Sequence, residues 1–374
     1  MSAGVYLHIP FCKSRCSYCD FATDVYRSSG AVGRYVNALV QEINRWPPKC
    51  GTPNIDTIYF GGGTPSLLEP DQLEQILEAV HGKFSVSPDS EITMEMNPAT
   101  VSPESLQAYK SLGINRASFG VQTFNDRALR LLARGHDAND ARATFAMLCD
   151  AGFGNISFDL IAGLPGQTLD DWERNLGEAI TLSPEHISLY LLEVHEGTPL
   201  AEQIHSGRQP EPDEDLAADM YRMLQHKLSS AGYEQYEISN FARPDYRSRH
   251  NTKYWQLEPV YGFGVSAHSF DGRERYANER DTQRYVDLIE RKGSAEVMRE
   301  IIDAASEYIF LGLRLNKGVN LEEYREKFGI SLQEKYDSEL NELEALGFVA
   351  KSKQQLCLTL EGMLYSNEVF ARFV

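Results

Sequence analysis

Cys12, Cys16 and Cys19 set three thiols within eight residues, in the stretch HIPFCKSRCSYCDF. Thiolates are soft ligands suited to iron–sulfur clusters, zinc or cuprous ions. A cubane cluster takes four ligands, so a Cys-x3-Cys-x2-Cys run leaves one iron open to a ligand from outside the chain. Structural zinc closes a tetrahedron, usually with a second Cys or His pair. Cys50, Cys149 and Cys357 each stand alone, so no matching pair exists. A dithiol redox couple could use Cys16 and Cys19 but leaves Cys12 without a role. Tyr18, between the last two cysteines, suits a shielded cluster better than a redox loop. The expected group is a [4Fe–4S] cluster on Cys12, Cys16 and Cys19.

Other chemistry-bearing residues fall at the ends of short apolar runs. Gly61-Gly62-Gly63-Thr64-Pro65 follows DTIYF, and Ala162-Gly163-Leu164-Pro165-Gly166-Gln167-Thr168 follows ISFDLI. Consecutive glycines let a backbone approach a ligand and adopt unusual dihedrals. Glu95 and Asp159 sit inside apolar segments, where a carboxylate needs a charged or hydrogen-bonding partner. That partner is either a salt bridge within the fold or a cationic or hydroxyl-bearing ligand.

These residues need a scaffold that brings strand ends together. β-branched and aromatic runs recur at residues 5–9, 56–60, 91–96, 115–120, 156–161 and 186–192, a spacing that predicts strands. Between them lie amphipathic stretches such as GRYVNALVQEINRW, DQLEQILEAVHGKF, PESLQAYKSLG and DDWERNLGEAITL. Ser102-Pro103 and Glu69-Pro70 read as helix starts, Gly113 and Gly152 as helix ends. Six strand–helix units predict an α/β fold with a parallel sheet, a partial (β/α)6 barrel rather than a closed eightfold one. In such folds functional residues gather at the C-terminal ends of the strands, where these residues lie.

Composition narrows the class. The 374 residues are 42% hydrophobic and 24% charged, enough for ordinary packed cores. A net charge of −18 opposes nucleic acid as a main partner and offers no basic patch for anionic membranes. No apolar run predicts a transmembrane segment or a signal peptide, and cysteines in cluster spacing predict a reducing, cytoplasmic setting.

The Cys-x3-Cys-aromatic-Cys pattern followed by GGGTP resembles the radical S-adenosylmethionine (SAM) superfamily. In that superfamily the amino and carboxylate groups of SAM chelate the open iron, and reduction of the cluster releases a 5'-deoxyadenosyl radical. The resemblance implies that Gly62, Gly63 and Thr64 line the methionine end of SAM. More narrowly, the chain is similar to the oxygen-independent coproporphyrinogen oxidase (HemN) family. Tyr6, Glu95, Gln122, Arg134 and Asp159 match its SAM-contacting positions. The same likeness implies an electron donor such as flavodoxin or ferredoxin.

Two features separate this chain from the decarboxylating members. Phe21 stands where those oxidases carry a further cysteine, and the first cluster cysteine comes at residue 12 rather than after a longer leader. His250-Asn251-x-x-Tyr254-Trp255 matches the HNxxYW pattern of the haem chaperone (HemW) branch. A neutral imidazole is a good iron ligand, Tyr254 and Trp255 offer flat apolar surface, and Arg243, Arg247 and Arg249 suit propionates. The competing reading makes His250 a loop cap and the aromatics core. With the branch resemblance, the expectation is a haem chaperone that passes haem to an acceptor protein. The alternative is a coproporphyrinogen III dehydrogenase, an oxidative decarboxylase.

The expected organisation is a barrel over 1–235, a connecting region over 236–298, and a C-terminal module over 299–374. The last resembles the winged-helix-like domain ending HemN-type proteins. Its 9 Lys+Arg against 13 Asp+Glu oppose a role on DNA.

Overall fold

The computed structural model describes every residue except 1, 27 and 48–51, so Cys50 lies outside the described residues. Six parallel strands run in chain order: Ser2–Ile9, Asn54–Gly62, Ser85–Met96, Arg116–Gln122, Ile156–Ala162 and His186–Leu191. Each is followed by helix, including Ser29–Arg45, Pro70–Lys83, Pro103–Ser111 and Leu169–Leu182. The helix starts obey local chemistry. The Ser102 hydroxyl accepts the Ser105 N–H, and Thr168 does the same for Asp171. Gly113 and Gly152 follow helix ends with positive φ, where a side chain is strained.

The sheet extends beyond the six strands. Val260–Phe263 adds parallel to Ser2–Ile9, and His268–Phe270, Glu274–Asn278 and Glu296–Ile301 continue it antiparallel. At the other end, Asn240–Ala242 adds antiparallel to His186–Leu191, and Glu234–Glu237 adds antiparallel to Asn240–Ala242. Much of the connecting region thus lengthens the barrel sheet rather than merely linking two bodies. The outer face packs on helices through one large core that includes Leu39, Leu73, Leu106, Leu148, Trp172 and Leu224.

The inner face is polar and curled. Arg116 is 1% exposed, yet its charge is felt at Tyr59, Glu95, Asp159, His186, Tyr236 and His250. Those residues come from six different elements, and a flat sheet would hold them too far apart. A separate core of Ile309, Leu313, Tyr324, Leu340, Leu343, Val349, Leu356 and Val369 builds the C-terminal module. It contains helices Ala304–Gly312, Leu321–Phe328 and Leu332–Ala345, with a small three-stranded sheet.

Candidate functional site

The three cysteines occupy the loop between the first strand and the helix Ser29–Arg45, and all are half-buried free thiols. The glycine loop holds that segment by backbone: Gly63 N–H donates to Ile9 O at 2.8 Å and Thr64 N–H to Phe11 O at 2.8 Å. Two side chains donate to sulfur. Thr64 Oγ1 lies 3.6 Å from Cys12 Sγ, and Arg134 Nη1 lies 3.3 Å from Cys16 Sγ. Asn97 ties both donors together, giving a hydrogen bond to Thr64 Oγ1 at 2.7 Å and accepting one from Arg134 Nη2 at 2.6 Å. Arg134 also donates to Gly120 O at 2.9 Å. Tyr18 packs beside Leu132, Ile161 and Leu164.

Burial pushes the Cys12 thiol up to about 11, while the Thr64 hydrogen bond pulls the other way. Burial likewise raises Cys19. A thiol that burial keeps protonated is ionised when iron coordinates it. The loop therefore fits a cluster: three half-buried free thiols, with polar donors to two of them. Among the described residues, no three His, Cys, Asp or Glu side chains converge on one ion-sized point. A cubane instead takes one thiolate per iron.

The glycines are required by contact. At Gly62, φ is +111° and a Cβ would fall 2.7 Å from the His8 ring. At Gly63 it would fall 2.7 Å from the Pro10 backbone. Glu95 sits directly behind this loop. Its Oε2 accepts the Gly62 N–H at 3.1 Å, and its Oε1 accepts the Tyr59 hydroxyl at 2.7 Å. Burial raises Glu95 to about 7, with Tyr59 and Gly62 opposing the shift and Asp159 adding to it. Asp159 is raised by burial too, against hydrogen bonding from Ser188 and the nearby Arg116 charge. Gln122 is 9% exposed with φ +63°, a left-handed conformation uncommon outside glycine.

Tyr6 and His8 complete this wall. The Tyr6 hydroxyl meets His8 Nδ1 at 3.1 Å, and His8 Nε2 meets Ala22 O, just past the cysteines, at 2.9 Å. Burial lowers His8, which keeps the imidazole neutral at pH 7. Tyr6, Tyr18, Gly62, Gly63, Thr64, Glu95, Gln122, Arg134 and Asp159 thus share the inner face and the loops above it. The arrangement offers carboxylates to a cation, a backbone cradle and one open side of a thiol loop.

His250 is elsewhere. It is 1% exposed at the floor of the barrel, in the helix Arg249–Trp255. Its Nδ1 meets Thr57 Oγ1 at 2.9 Å and its Nε2 meets the Tyr254 hydroxyl at 3.0 Å. Iron coordination needs a free nitrogen, and in this structure both nitrogens of His250, the expected haem ligand, have protein partners. Tyr254 is spent on His250, and Trp255 lies under the Arg314 guanidinium at 4.2 Å. The three arginines expected at propionates are also engaged. Arg243 donates to Ser183, Arg247 pairs with Glu234, and Arg249 donates to Asp89 O.

Sequence reasoning missed Tyr59, Asn97, Arg116 and Tyr190. Tyr190 is 46% exposed, yet Asp159, Glu237 and Glu95 face it, so it borders open space inside the barrel. Period-two counting from Ser188, whose hydroxyl bonds Asp159, would have placed Tyr190 on the same face.

Comparisons with known proteins agree with this geometry. The Radical SAM superfamily matches residues 6–179 and the HemN C-terminal domain matches residues 302–365. The chain is 40% identical to the heme chaperone HemW of Bacillus subtilis over 99% of both chains. It is 37% identical to the heme chaperone HemW of Synechocystis, covering 99% of this chain and 96% of the other. The structure of coproporphyrinogen III oxidase (HemN) from Escherichia coli superposes with a TM-score of 0.88 at 25% identity, over 100% of this chain and 90% of that one. The full-length likeness, the thiol loop and the glycine cradle agree: this chain belongs to the radical SAM superfamily, within the HemW heme chaperone family.

Proposed function

We propose that this protein is a haem chaperone that carries a SAM-coordinated [4Fe–4S] cluster at the barrel mouth and passes haem to an acceptor protein. The observation that carries the reading is end-to-end similarity to heme chaperones HemW, at 40% identity over 99% of both chains for one of them. Phe21, 68% exposed where the oxidase branch has a cysteine, supports the same choice.

In this reading Cys12, Cys16 and Cys19 hold the cluster, which supplies one-electron chemistry when bound. Glu95 pairs with the SAM ammonium, while Gly62, Gly63 and Thr64 cradle its methionine end. Asp159, Gln122 and Tyr6 line the path of the nucleoside, and Arg134 and Tyr18 shield the cluster from the barrel side. The cluster calls for a reducing setting such as the cytoplasm and for an electron donor of the flavodoxin or ferredoxin kind. No helix among the described residues is long and apolar enough to cross a membrane.

One experiment separates this from the oxidase reading that the HemN superposition favours. Anaerobically reconstituted protein is titrated with haem and, in parallel, given coproporphyrinogen, SAM and a reductant. A Soret band, delivery of haem to an apo-acceptor and no protoporphyrinogen support the chaperone. Steady protoporphyrinogen formation without haem binding overturns it.

A further inference from the structure

We propose that the Arg249–Trp255 helix is a positioning element for the SAM site, acting from the barrel floor through a triangle of rings, His250, Tyr59 and Tyr6, rather than by holding haem iron. The inference rests on the assignment of SAM to Glu95 and the glycine loop made above.

The helix is anchored in the floor through His250 and Lys253. Glu91 accepts the N–H groups of Arg249 and His250 at 3.1 and 3.0 Å, which caps the helix N-terminus with a carboxylate. Lys253 is 4% exposed and pairs with Asp56 at 2.8 Å and Glu258 at 2.9 Å. Gly4 makes room for the imidazole, because a Cβ there would lie 3.1 Å from His250 Cε1 and 2.8 Å from Thr57 Oγ1. Burial, aided by the Lys253 and Arg116 charges, lowers His250 to about 3, so the ring stays neutral.

From His250 the contacts lead to the proposed SAM site without a break. His250 stacks on Tyr59 at 5.1 Å between centroids and 28° between planes. Tyr59 stacks in turn on Tyr6 at 6.1 Å and 25°. The Tyr59 hydroxyl fixes Glu95, and Glu95 fixes the Gly62 N–H. Tyr6 reaches the end of the cysteine loop through His8 and Ala22 O. With both ring nitrogens engaged, His250 sets the tilt of Tyr59 and hence the place of the carboxylate. Groups that orient a first contact commonly weaken binding about 10–100-fold when removed. On the other side, Arg314 stacks on Trp255 and accompanies Glu237 at 3.5 Å, which joins the C-terminal module to the same floor.

The test compares His250→Ala, His250→Gln and Tyr254→Phe with the parent, all as the reconstituted full chain. A glutamine carboxamide offers one donor and one acceptor, as the neutral imidazole does. Iron content, the EPR response of the reduced cluster to SAM, and the haem Soret band are read on each. H250A should keep its iron, need about tenfold more SAM or beyond for the EPR change, and keep the parental Soret band. H250Q should recover most of the SAM response. Y254F removes one hydroxyl and keeps the ring, so it supplies the SAM readout if H250A does not fold. Parental SAM titrations in H250A, or in Y254F where H250A does not fold, would overturn the proposal. So would loss of the Soret band in H250Q with SAM binding intact, which assigns His250 to iron. A parent that answers SAM but binds no haem sinks the chaperone reading and leaves this one standing.

Discussion

Glu95 and Gly62 meet across neighbouring strands, the carboxylate Oε2 accepting the glycine N–H at 3.1 Å. The contact joins a half-buried acid to the loop that grips the cysteine segment.

Glu95→Gln keeps the shape and removes the charge. Hydrogen bonds to charged groups are worth roughly 1.5–3 kcal/mol, so SAM affinity should fall about tenfold or more. In the parent, burial holds the carboxyl near 7, and its ionised form is the partner of an ammonium. Affinity should therefore rise as pH climbs through about 7, and E95Q should flatten that profile. Equilibrium dialysis across pH 6–8 checks both, and a parallel slope in parent and variant would count against Glu95.

Replacing Cys12, Cys16 or Cys19 by Ala should abolish the cluster, which in the parent amounts to about four irons and four sulfides per chain. Cys149, exposed on the outer helix Ala138–Asp150, should tolerate Ala with full iron content. Iron and sulfide assays after anaerobic reconstitution decide this.

Glu42 lies beneath the strand Val260–Phe263, accepting hydrogen bonds from Gly264 N at 2.8 Å, Asn278 at 2.6 Å and Tyr285 at 2.7 Å. Burial raises it from an ordinary 4.5 to about 7 despite those donors. Its folded pKa exceeds the unfolded one, so its contribution is full below about 4.5 and is lost as pH rises to about 7. Urea midpoints of Glu42→Gln should lose this fall between the two values. An unchanged pH slope would show that other groups carry it.

Trp172 is fully buried and donates its indole N–H to Met220 O at 2.9 Å, pinning the helix Leu169–Leu182 to Glu214–Ser230. Trp172→Ala leaves a cavity and removes the indole hydrogen bond between the helices, at a cost of about 3–5 kcal/mol. Denaturant unfolding measures it, and a loss under about 1 kcal/mol would mean that the core collapses around the gap.

The six parallel strands were legible because each pairs apolar residues with a helix at a regular distance. The strand Ser85–Met96 begins six residues before the expected 91, since Pro88 and Asp89 read as turn. The structure pairs Ser85 and Val86 with Asn54 and Ile55, and a register shift between Ile55 and Thr57 absorbs the irregularity. Val260–Phe263 escaped notice because four residues containing a glycine, with no helix to set their spacing, carry little periodic signal.

Local chemistry alone determined the thiol loop, the glycine cradle and the strand-end carboxylates, since spacing and residue type decide which groups lie next to one another along the chain. The surroundings of His250 came only from the folded molecule. Its partner Thr57 lies 193 positions away, and Gly4 opens the space that receives the ring. Tyr254, on Nε2, is part of the motif, but whether Nδ1 is free depends on a distant segment, and HNxxYW reads the same with or without it.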